Sequence, residues 1–365
     1  MDSLKKLVRR ALARGFVPAC YYAVKRVVWR LNKGKQSALQ PKVTVVLPVY
    51  NVEAFLADAV NSILGQGYGN LEIIAVNDGA TDGSLAILEA IARRDARLKV
   101  HSKPNGGLGA ARNTGVKLIK ETDYLLFVDS DDILPMGTIR RYVRSLETSL
   151  ASLAIGRPGC FYGARYFDRP GFAGTYAKDR KEVTVRDVPE VVGDLTAWNK
   201  FFKWDFYRGT KFPEDVRYED MTLMMRLLLK APSFNVVSAR QYAWRVRGEG
   251  ESLSKMTTEL RSLNDRVDSV REIVLILKRA VKSGVVPEAV YKGYLSRAIT
   301  LDFQLFAPAI AETNLTFFAT FKLAAAELLK DADEEVWSNA SGQYKEIVRE
   351  AIRGSKASTL RLLRG

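Results

Sequence analysis

The sequence is poor in cysteine and histidine. Its 365 residues include two cysteines, Cys20 and Cys160, and one histidine, His101. Two distant cysteines without a CxxC pattern argue against a zinc knuckle or a disulfide framework, and they predict reduced thiols in a cytosolic protein. A single histidine excludes a metal site built from several histidines, and any histidine-based catalytic triad would have to contain His101.

Long apolar runs are absent as well. No run reaches the roughly 18–20 residues that a membrane-spanning helix needs. The apolar stretch 16–24 is short, contains Pro18 and is flanked by charge on both sides, so it makes a poor signal peptide. Because 47% of the residues are apolar, we expect a substantial core, in one large domain with additions or in two domains.

Acidic residues are scarce at the two ends of the chain. The net charge is +15, of which residues 1–42 carry +10 and residues 353–365 carry +4, so the body is nearly neutral. In the first twelve residues the apolar side chains fall on one helical face and the basic ones on the other. This pattern predicts an amphipathic helix on an anionic membrane surface, in preference to one packed on the body. The alternative is that the basic ends bind a polyanionic polymer.

Strands and helices alternate after a linker-like segment at residues 33–41. Apolar and β-branched runs predict strands at 43–49, 71–78, 98–103 and 123–132, with helices between them at 52–64, 81–94 and 107–120. This alternation predicts an α/β fold in which a parallel sheet has helices on both faces. From Thr258 onward the spacing of apolar residues predicts an appended helical region.

Carboxylates cluster where the fourth predicted strand ends. Asp129, Asp131 and Asp132, with Ser130 among them, follow the apolar segment YLLFV. Such acids repel one another unless a cation or hydrogen-bond donors neutralise them, and hard oxygen ligands suit Mg²⁺ or Mn²⁺. Asp132 alone could instead cap a helix that starts near Pro135, but capping does not account for three acids.

Two glycine-rich segments accompany this cluster. Residues 77–84 (NDGATDGS) on their own fit turn chemistry and a helix N-cap. Their position at a strand end equivalent to that of Asp129 favours a ligand site, because open α/β sheets bind ligands at the carboxyl ends of their strands. Residues 105–113 (NGGLGAARN) predict a loop entering a helix, which can bring backbone amides and Arg112 near phosphates.

A further pair of carboxylates, Glu219 and Asp220, follows Tyr218 and precedes the apolar segment MTLMMRLLL. Negative charge is favourable at the start of a helix, so the pair could serve capping alone. Alternatively, one of the two carboxylates is a general base that accepts a proton during a reaction.

Together these segments resemble family 2 glycosyltransferases of the GT-A fold, most closely bacterial enzymes that build or decorate wall, capsular or teichoic-acid-type polymers. Seven segments in family order, spanning about residues 43 to 255, support the resemblance: VVLPVYNVEAFLADAVNSIL, LEIIAVNDGATDGS, NGGLGAARNTG, YLLFVDSDD, AWNKFF, VRYEDM and YAWRVRGEGESLS. The implied fold is a Rossmann-like, mixed and mainly parallel sheet flanked by helices. The implied organisation is a basic N-terminal segment (1–41), a GT-A domain (42–255) and a helical C-terminal region (256–365).

The resemblance implies roles for the matching residues. Asp129 and Asp131 would form the D-x-D motif, with Asp131 as the more direct metal ligand. Asp220 would be the catalytic base, with Glu219 near the acceptor, and Asp78 would hydrogen-bond the base of the nucleotide. The residues expected to contact the nucleotide sugar are Pro48, Tyr50, Glu53, Asp78, Asn105, Arg112, Asn113, Asp129, Ser130, Arg245, Arg247 and Ser252.

The implied reaction moves a sugar from a nucleoside-diphosphate sugar, most often a UDP-sugar, to a hydroxyl of a cell-surface glycan, wall polymer or lipid-linked acceptor. Mn²⁺ or Mg²⁺ would be the cofactor. Asp220 would deprotonate the hydroxyl as it attacks the anomeric carbon, and a single displacement would invert the configuration. Some family members add a histidine ligand after the Glu-Asp pair; this chain has none there, so water, phosphate or another side chain must complete the metal shell.

Two other functions fit parts of the pattern. A nucleotidyltransferase also uses acids on an α/β sheet, but the segment LPVYNVEAF lacks a glycine-rich loop with a lysine. A nucleic-acid-binding protein would suit the pI of about 9.7, but the excess charge is confined to the ends, so we expect no nucleic-acid partner. We expect a cytoplasmic protein, peripheral on the inner face of the cell membrane, that could form oligomers through its C-terminal helices.

Deletion of residues 1–35 should abolish sedimentation of the protein with anionic vesicles, because each basic group near such a surface contributes about 1 kcal/mol to binding. The measurement compares the full chain with the deletion variant. Binding that persists after the deletion would contradict the membrane hypothesis.

Overall fold

The computed structural model describes residues 40–163, 165–168, 173–247 and 257–364. The predicted N-terminal amphipathic helix lies outside these residues. Within them, nine strands form one sheet. The strands are β1 Val43–Val49, β2 Leu71–Asp78, β3 Leu98–Lys103, β4 Tyr124–Phe127, β5 Leu153–Tyr162, β6 Arg165–Asp168, β7 Arg180–Val183, β8 Lys200–Lys203 and β9 Phe234–Arg245.

The sheet is mixed, with the order β3-β2-β1-β4-β8-β5-β9-β7 and with β6 paired to β5. The first four strands are parallel to one another, as the alternation of strands and helices predicts. Strand β8 runs antiparallel to both β4 and β5, and it joins this half to a second half in which β5 and β9 are parallel. The predicted mixed sheet flanked by helices is therefore confirmed.

Helices pack on both faces of the sheet and continue to the end of the described chain. Those within the sheet region are α1 Glu53–Leu64, α2 Ser84–Ala92, α3 Gly107–Lys117, α4 Thr138–Glu147, α5 Trp204–Tyr207 and α6 Glu219–Lys230. Those of the C-terminal region are α7 Leu260–Lys282, α8 Glu288–Arg297, α9 Leu315–Leu328, α10 Glu334–Asn339, α11 Lys345–Arg353 and α12 Lys356–Arg364. The predicted helical C-terminal region is confirmed, and the helix expected near Pro135 begins at Thr138.

Strand β1 is buried along its whole length. Val45 and Leu47 belong to the apolar cluster that contains Leu56 of α1, whereas Val46 belongs to the cluster on the opposite face. Successive side chains of a strand point to opposite faces, so helices on both sides require an apolar residue at every position. This requirement explains why the strand appears in the sequence as a continuous apolar run.

One apolar core joins the sheet to the C-terminal helices. Phe202 of β8 and Met224 of α6 share a cluster of buried side chains with Ile273 of α7, Tyr294 of α8 and Phe321 of α9. The predicted domain boundary at 255/256 lies outside the described residues, and the division into domains stays a prediction. In the part of the chain that the structure describes, no helix has both the length and the apolar character needed to cross a membrane.

Helix α3 approaches β1 closely because it has a glycine at the contact. A side chain at Gly115 would overlap both methyl groups of Val46. Core helices and strands are packed nearly as densely as organic crystals, so an added methyl group there must displace its neighbours. The close approach matters for the site, since α3 also contains Arg112.

We expect Gly115→Ala to lower the free energy of unfolding by about 1–3 kcal/mol, because the new methyl group overpacks the contact with Val46. The matched control is Gly293→Ala in α8, where no atom lies within 4 Å of the added carbon. Better helix propensity should stabilise that variant by about 0.5–1 kcal/mol. Urea unfolding measures both changes, and equal effects at the two positions would contradict the packing argument.

Candidate functional site

Three parallel strands end side by side at one edge of the sheet. Strand β1 pairs with β2 on one side and with β4 on the other, and all three run in the same direction. The loops that follow them contain the sequence-predicted residues around Tyr50, Asp78 and Asp129. Residues from three separate segments therefore share the edge at which open α/β sheets bind ligands.

The loops after β1 and β2 are bound to each other. The carboxylate of Glu53 accepts a hydrogen bond from the amide of Gly83, and the amide of Glu53 donates to Oδ2 of Asp82 at 3.0 Å. Pro48 is buried at the end of β1, and Tyr50 beside it is 49% exposed. Of the three residues predicted to line the nucleoside pocket, Tyr50 and Glu53 are thus exposed and Pro48 is buried, and Glu53 holds the two loops together.

Asp78 organises the glycine-rich loop before α3. Its carboxylate is buried and accepts hydrogen bonds from Lys103 Nζ, from the amide of Gly106 at 3.0 Å and from the amide of Gly107 at 2.9 Å. Asn105, the neighbouring residue of the predicted set, is exposed. The predicted contact between Asp78 and a nucleotide base would have to share the carboxylate with these donors.

Arg112 of α3 joins two of the predicted carboxylate groups. Its side chain is 1% exposed, and its guanidinium donates to Asp129 at 2.8 Å and to Glu219 through its other terminal nitrogen. Phe212 lies against it, with the ring centroid 5.2 Å from the guanidinium carbon. The acid cluster at the end of β4 and the Glu-Asp pair at the start of α6 therefore converge on one buried cation.

Asn113, the next residue on α3, holds the loop that leads to α6. Its side-chain amide donates to the carbonyl of Phe212 at 2.9 Å and to Glu214 at 2.8 Å. Its carbonyl oxygen accepts the amide of Phe212 at 2.9 Å. The predicted contacts of Arg112 and Asn113 with a nucleotide stay predictions, since both side chains serve these internal contacts in the structure.

The acids after β4 are bound by residues of β9. Asp132 is fully buried and accepts hydrogen bonds from Tyr242 Oη and from the amide of Arg245, both at 2.7 Å. It anchors the loop and caps no helix, because the next helix begins at Thr138 after Gly137. Ser130 is buried in the same loop.

Asp131 faces two arginines at the end of β9, Arg245 and Arg247. Arg247 donates to its carboxylate from Nε at 3.1 Å and also from Nη2, and Arg245 Nε donates to its carbonyl at 2.7 Å. Both guanidinium groups stack on Phe55 of α1, at 5.0 Å and 4.9 Å from the ring centroid. Arg245 and Arg247 thus both contact Asp131. Their predicted contacts with the nucleotide sugar stay predictions, and Ser252 lies outside the described residues.

Glu219 and Asp220 point in different directions from the first turn of α6. Glu219 is buried against Arg112, and Asp220 is partly exposed and accepts a hydrogen bond from the amide of Ala197 at 3.2 Å. Neither side chain caps the helix, since the N-cap residue is Tyr218 and it forms no side-chain cap. Both carboxylates, Glu219 and Asp220, therefore contact other residues of the site instead of capping α6.

Burial is the largest influence on the pKa values of both Glu219 and Arg112. Burial raises the pKa of Glu219 to about 7, and the repulsion of Asp220 adds to this effect, while Arg112 lowers it. Burial also lowers the pKa of Arg112, but Asp129, Glu219 and Asp220 raise it well above its ordinary value. The guanidinium consequently stays charged at any physiological pH, whereas a proton on Glu219 is within reach near neutral pH.

The strand-end acids have the chemistry of a site for a hard divalent cation. Asp129 and Asp131 offer carboxylate oxygens, and guanidinium groups stand beside both in the structure. Among the described residues, no group of three histidine, cysteine, aspartate or glutamate side chains is arranged to hold an ion. Mg²⁺ and related ions are often bound by only one or two carboxylates together with water and substrate phosphates, so these two acids fit that mode.

Comparison with known families agrees with this arrangement. Residues 44–208 match the family described as Glycosyl transferase family 2. The chain contains a family 2 glycosyltransferase domain. The matched segment begins in β1 and ends just after α5, so it includes the acids after β4 but not the Glu219–Asp220 pair.

Two curated relatives of this chain are bacterial proteins. The chain is 31% identical over 245 residues to the glycosyltransferase GlyA of Streptococcus pneumoniae serotype 4, which covers 65% of this chain and 34% of GlyA. It is 29% identical over 217 residues to the minor teichoic acid biosynthesis protein GgaB of Bacillus subtilis, covering 57% of this chain and 23% of GgaB. The chain thus spans about a third or less of the length of these relatives.

Solved structures show the same fold over most of the chain. A fragment of S. aureus TarS in complex with UDP-GlcNAc superposes with a TM-score of 0.69 and 21% identity, covering 88% of this chain and 90% of that one. The mannosyltransferase PcManGT of Pyrobaculum calidifontis, in complex with GDP-Man and Mn²⁺, gives a TM-score of 0.53 and 16% identity, covering 99% of this chain and 98% of the other. The GT-A fold predicted from the sequence is confirmed.

Several residues of the site had no signal that we recognised in the sequence. Phe55 stacks on both arginines, and Asp58 lies 3.5 Å from Arg245. Both residues belong to the predicted helix after β1, where Phe55 fits an apolar helical face. Tyr242, which binds Asp132, sits in the segment YAWRVR, and its alternation with Trp244 and Val246 could have indicated a side chain directed at the acids.

The raised pKa of Glu219 predicts a pH-dependent stability. Between its ordinary value of 4.5 and about 7, the folded protein binds the proton more tightly than the unfolded chain does. The stability of the wild type relative to Glu219→Gln should therefore be highest below pH 4.5 and should fall by up to about 3 kcal/mol as the pH rises through 7. Urea unfolding of both proteins across this window tests it, and a constant offset would contradict it.

Proposed function

We propose that this protein is an inverting glycosyltransferase that uses a nucleoside-diphosphate sugar, with UDP-sugars as the first candidates. The observation that supports it most directly is the bridge from Asp129 through Arg112 to Glu219. It brings the acids suited to a metal and diphosphate to the same site as the Glu-Asp pair suited to proton transfer. The family match and the UDP-GlcNAc complex of TarS, which has the same fold, favour this chemistry.

On the donor side, Asp131 and Asp129 would hold Mn²⁺ or Mg²⁺. The bound cation supplies positive charge to the departing diphosphate. Arg245 and Arg247 would add hydrogen bonds to the same phosphates, because guanidinium groups match their geometry and both side chains already meet the acid loop. Their stacking on Phe55 limits the directions in which they can point.

The nucleoside would lie over the loops after β1 and β2. Pro48, Tyr50 and Glu53 would line its pocket, and Asp78 would meet the base, with Asn105 at the rim of the glycine-rich loop. Exposed Tyr50 offers an aromatic face to a base. Arg112, Asn113 and Ser130 would fix the loops that line the nucleotide-sugar site. Ser252 would approach the diphosphate from the segment after Arg247.

On the acceptor side, Asp220 would take the proton from the incoming hydroxyl. Its carboxylate is partly exposed and is held at one oxygen by the amide of Ala197, which leaves the other oxygen available. Glu219, buried against Arg112, would stay near the acceptor and position the turn. A base on the face of the sugar opposite the diphosphate permits one direct displacement, which inverts the anomeric configuration.

The acceptor we propose is a hydroxyl of a wall polymer, cell-surface glycan or lipid-linked saccharide. The printed name of GgaB, a teichoic acid biosynthesis protein, supports a polymer of this kind. The basic ends of the chain would keep the enzyme on the inner face of the cytoplasmic membrane, where lipid-linked acceptors are found. We further propose that the chain divides into three segments, with boundaries at 41/42 and 255/256. We also propose that oligomers form through the C-terminal helices.

Asp220→Asn should lower the rate of sugar transfer by about 10²–10⁴-fold, because the amide cannot accept the proton of the attacking hydroxyl. The donor is first identified by screening nucleotide sugars for hydrolysis and thermal stabilisation with and without Mn²⁺. Steady-state transfer is then measured for the wild type and the variant.

The matched control is Asp205→Asn, which changes an exposed aspartate of α5 whose ion-pair partner among the described residues is Arg208. This variant should transfer sugar at the rate of the wild type. A folded Asp220→Asn protein that is as active as Asp205→Asn would remove Asp220 from the proposed role.

A further inference from the structure

The turn before α6 contains two residues with a left-handed backbone. Asp215 has φ of 56° and Tyr218 has φ of 60°. A bulky residue is rare in this region, and its conformation persists only where the surrounding structure holds it. Tyr218 is of particular interest because it directly precedes Glu219 and Asp220.

Helix α7 of the C-terminal region holds the side chain of Tyr218. The phenol oxygen lies 2.9 Å from Oγ of Ser262, a fully buried residue. The guanidinium carbon of Arg266 lies 4.4 Å from the centroid of the ring. Arg266 is itself fixed by a hydrogen bond of 2.7 Å from Nε to the buried Asp302. The ring is therefore held at its hydroxyl and over its face by one helix.

The same helix also binds the backbone of the turn. The amide of Arg217 donates to Asp265 at 3.2 Å, and the guanidinium of Arg217 donates to Glu259 at 2.6 Å. Asp265 lies one turn of α7 beyond Arg261, and Glu259 is the N-cap residue of the helix. Contacts from the first two turns of α7 thus surround the residue before the Glu-Asp pair.

The conformation of Tyr218 sets the directions of the two carboxylates. Glu219 must reach Arg112 inside the protein, while the partly exposed Asp220 must reach the amide of Ala197. A change in φ or ψ at Tyr218 rotates the start of α6 and moves both carboxylates together. A displacement of about 1 Å from productive geometry can lower a rate by as much as 10²-fold.

We propose that Ser262 and Arg266 of α7 are positioning residues for the transfer reaction: by holding Tyr218 in its left-handed conformation, they fix the directions of the Glu219 and Asp220 carboxylates. This inference rests on the function proposed above for Asp220. It gives the C-terminal helical region a defined task, because the catalytic turn keeps its geometry through contacts with α7.

The test compares Tyr218→Phe, Ser262→Ala and the double variant with the wild type. Each single change removes the same hydroxyl contact, so all three variants should behave alike. Amide hydrogen exchange at residues 215–222 should become roughly tenfold faster. The kcat of transfer should fall roughly tenfold, while the KM for the donor should change by less than about twofold, since donor contacts lie on the other loops.

Arg266→Lys and Arg266→Met form a second pair. Lysine keeps a cation that can lie over the tyrosine ring, whereas methionine removes the charge at similar length. Asp302 keeps its ion pair with Arg297 in both variants. We expect the lysine variant to retain most of the kcat and the exchange protection of the turn, and the methionine variant to lose both.

The matched control is Tyr291→Phe in α8, which removes a hydroxyl contact of 2.8 Å with Asp331 away from the turn. It should leave both the exchange of the turn and kcat unchanged. Unchanged exchange at residues 215–222 in Tyr218→Phe and Ser262→Ala would overturn the positioning role, and so would faster exchange with unaltered kcat. The proposed function fails separately, through an active Asp220→Asn variant, and the exchange result does not depend on that outcome.

Discussion

The site depends on the ion pairs that the buried guanidinium of Arg112 forms with Asp129 and Glu219. A cation removed from water is tolerated only when anions and hydrogen-bond acceptors surround it. Asp129 follows β4 and Glu219 begins α6, and the loss of either would remove one of the two carboxylates that bind this buried cation. The same requirement fixes the depth of α3, whose Gly109 and Gly115 permit contact with the loop at Pro213 and with β1.

The mixed sheet determines which groups face the acids. The antiparallel strand β8 separates the parallel strands β1 to β4 from the half of the sheet that contains β5 and β9. A β-bridge between Ile133 and Ala243 joins the end of β9 to the loop after β4. Arg245 and Arg247 reach Asp131 because of that bridge. The surroundings of Asp131 are therefore assembled from both halves of the sheet, and helix α7 contacts the turn before α6 through Tyr218.

Local patterns predicted the first half of the fold well. Strands β1, β2 and β3 have the bounds expected from their apolar runs, since a strand buried on both faces must be apolar throughout. Residues 150–215 gave a weak pattern, because strands β6 to β8 are four residues each and β6 is exposed along its length. Motifs in the sequence single out the D-x-D acids, the Glu-Asp pair and both arginines, whose roles stay predictions, but no motif singles out Phe55 or Asp58.

The sequence by itself determined the kind of chemistry: acids at strand ends, a carboxylate pair before a helix, and basic ends outside a neutral body. These features are local in the chain, so residue type and spacing suffice to recognise them. Only the tertiary structure decided the partners. Arg112 lies 107 residues from Glu219, and Tyr218 lies 44 residues from Ser262. Contacts over such separations follow from how helices and strands pack in space, which periodicity along the chain does not encode.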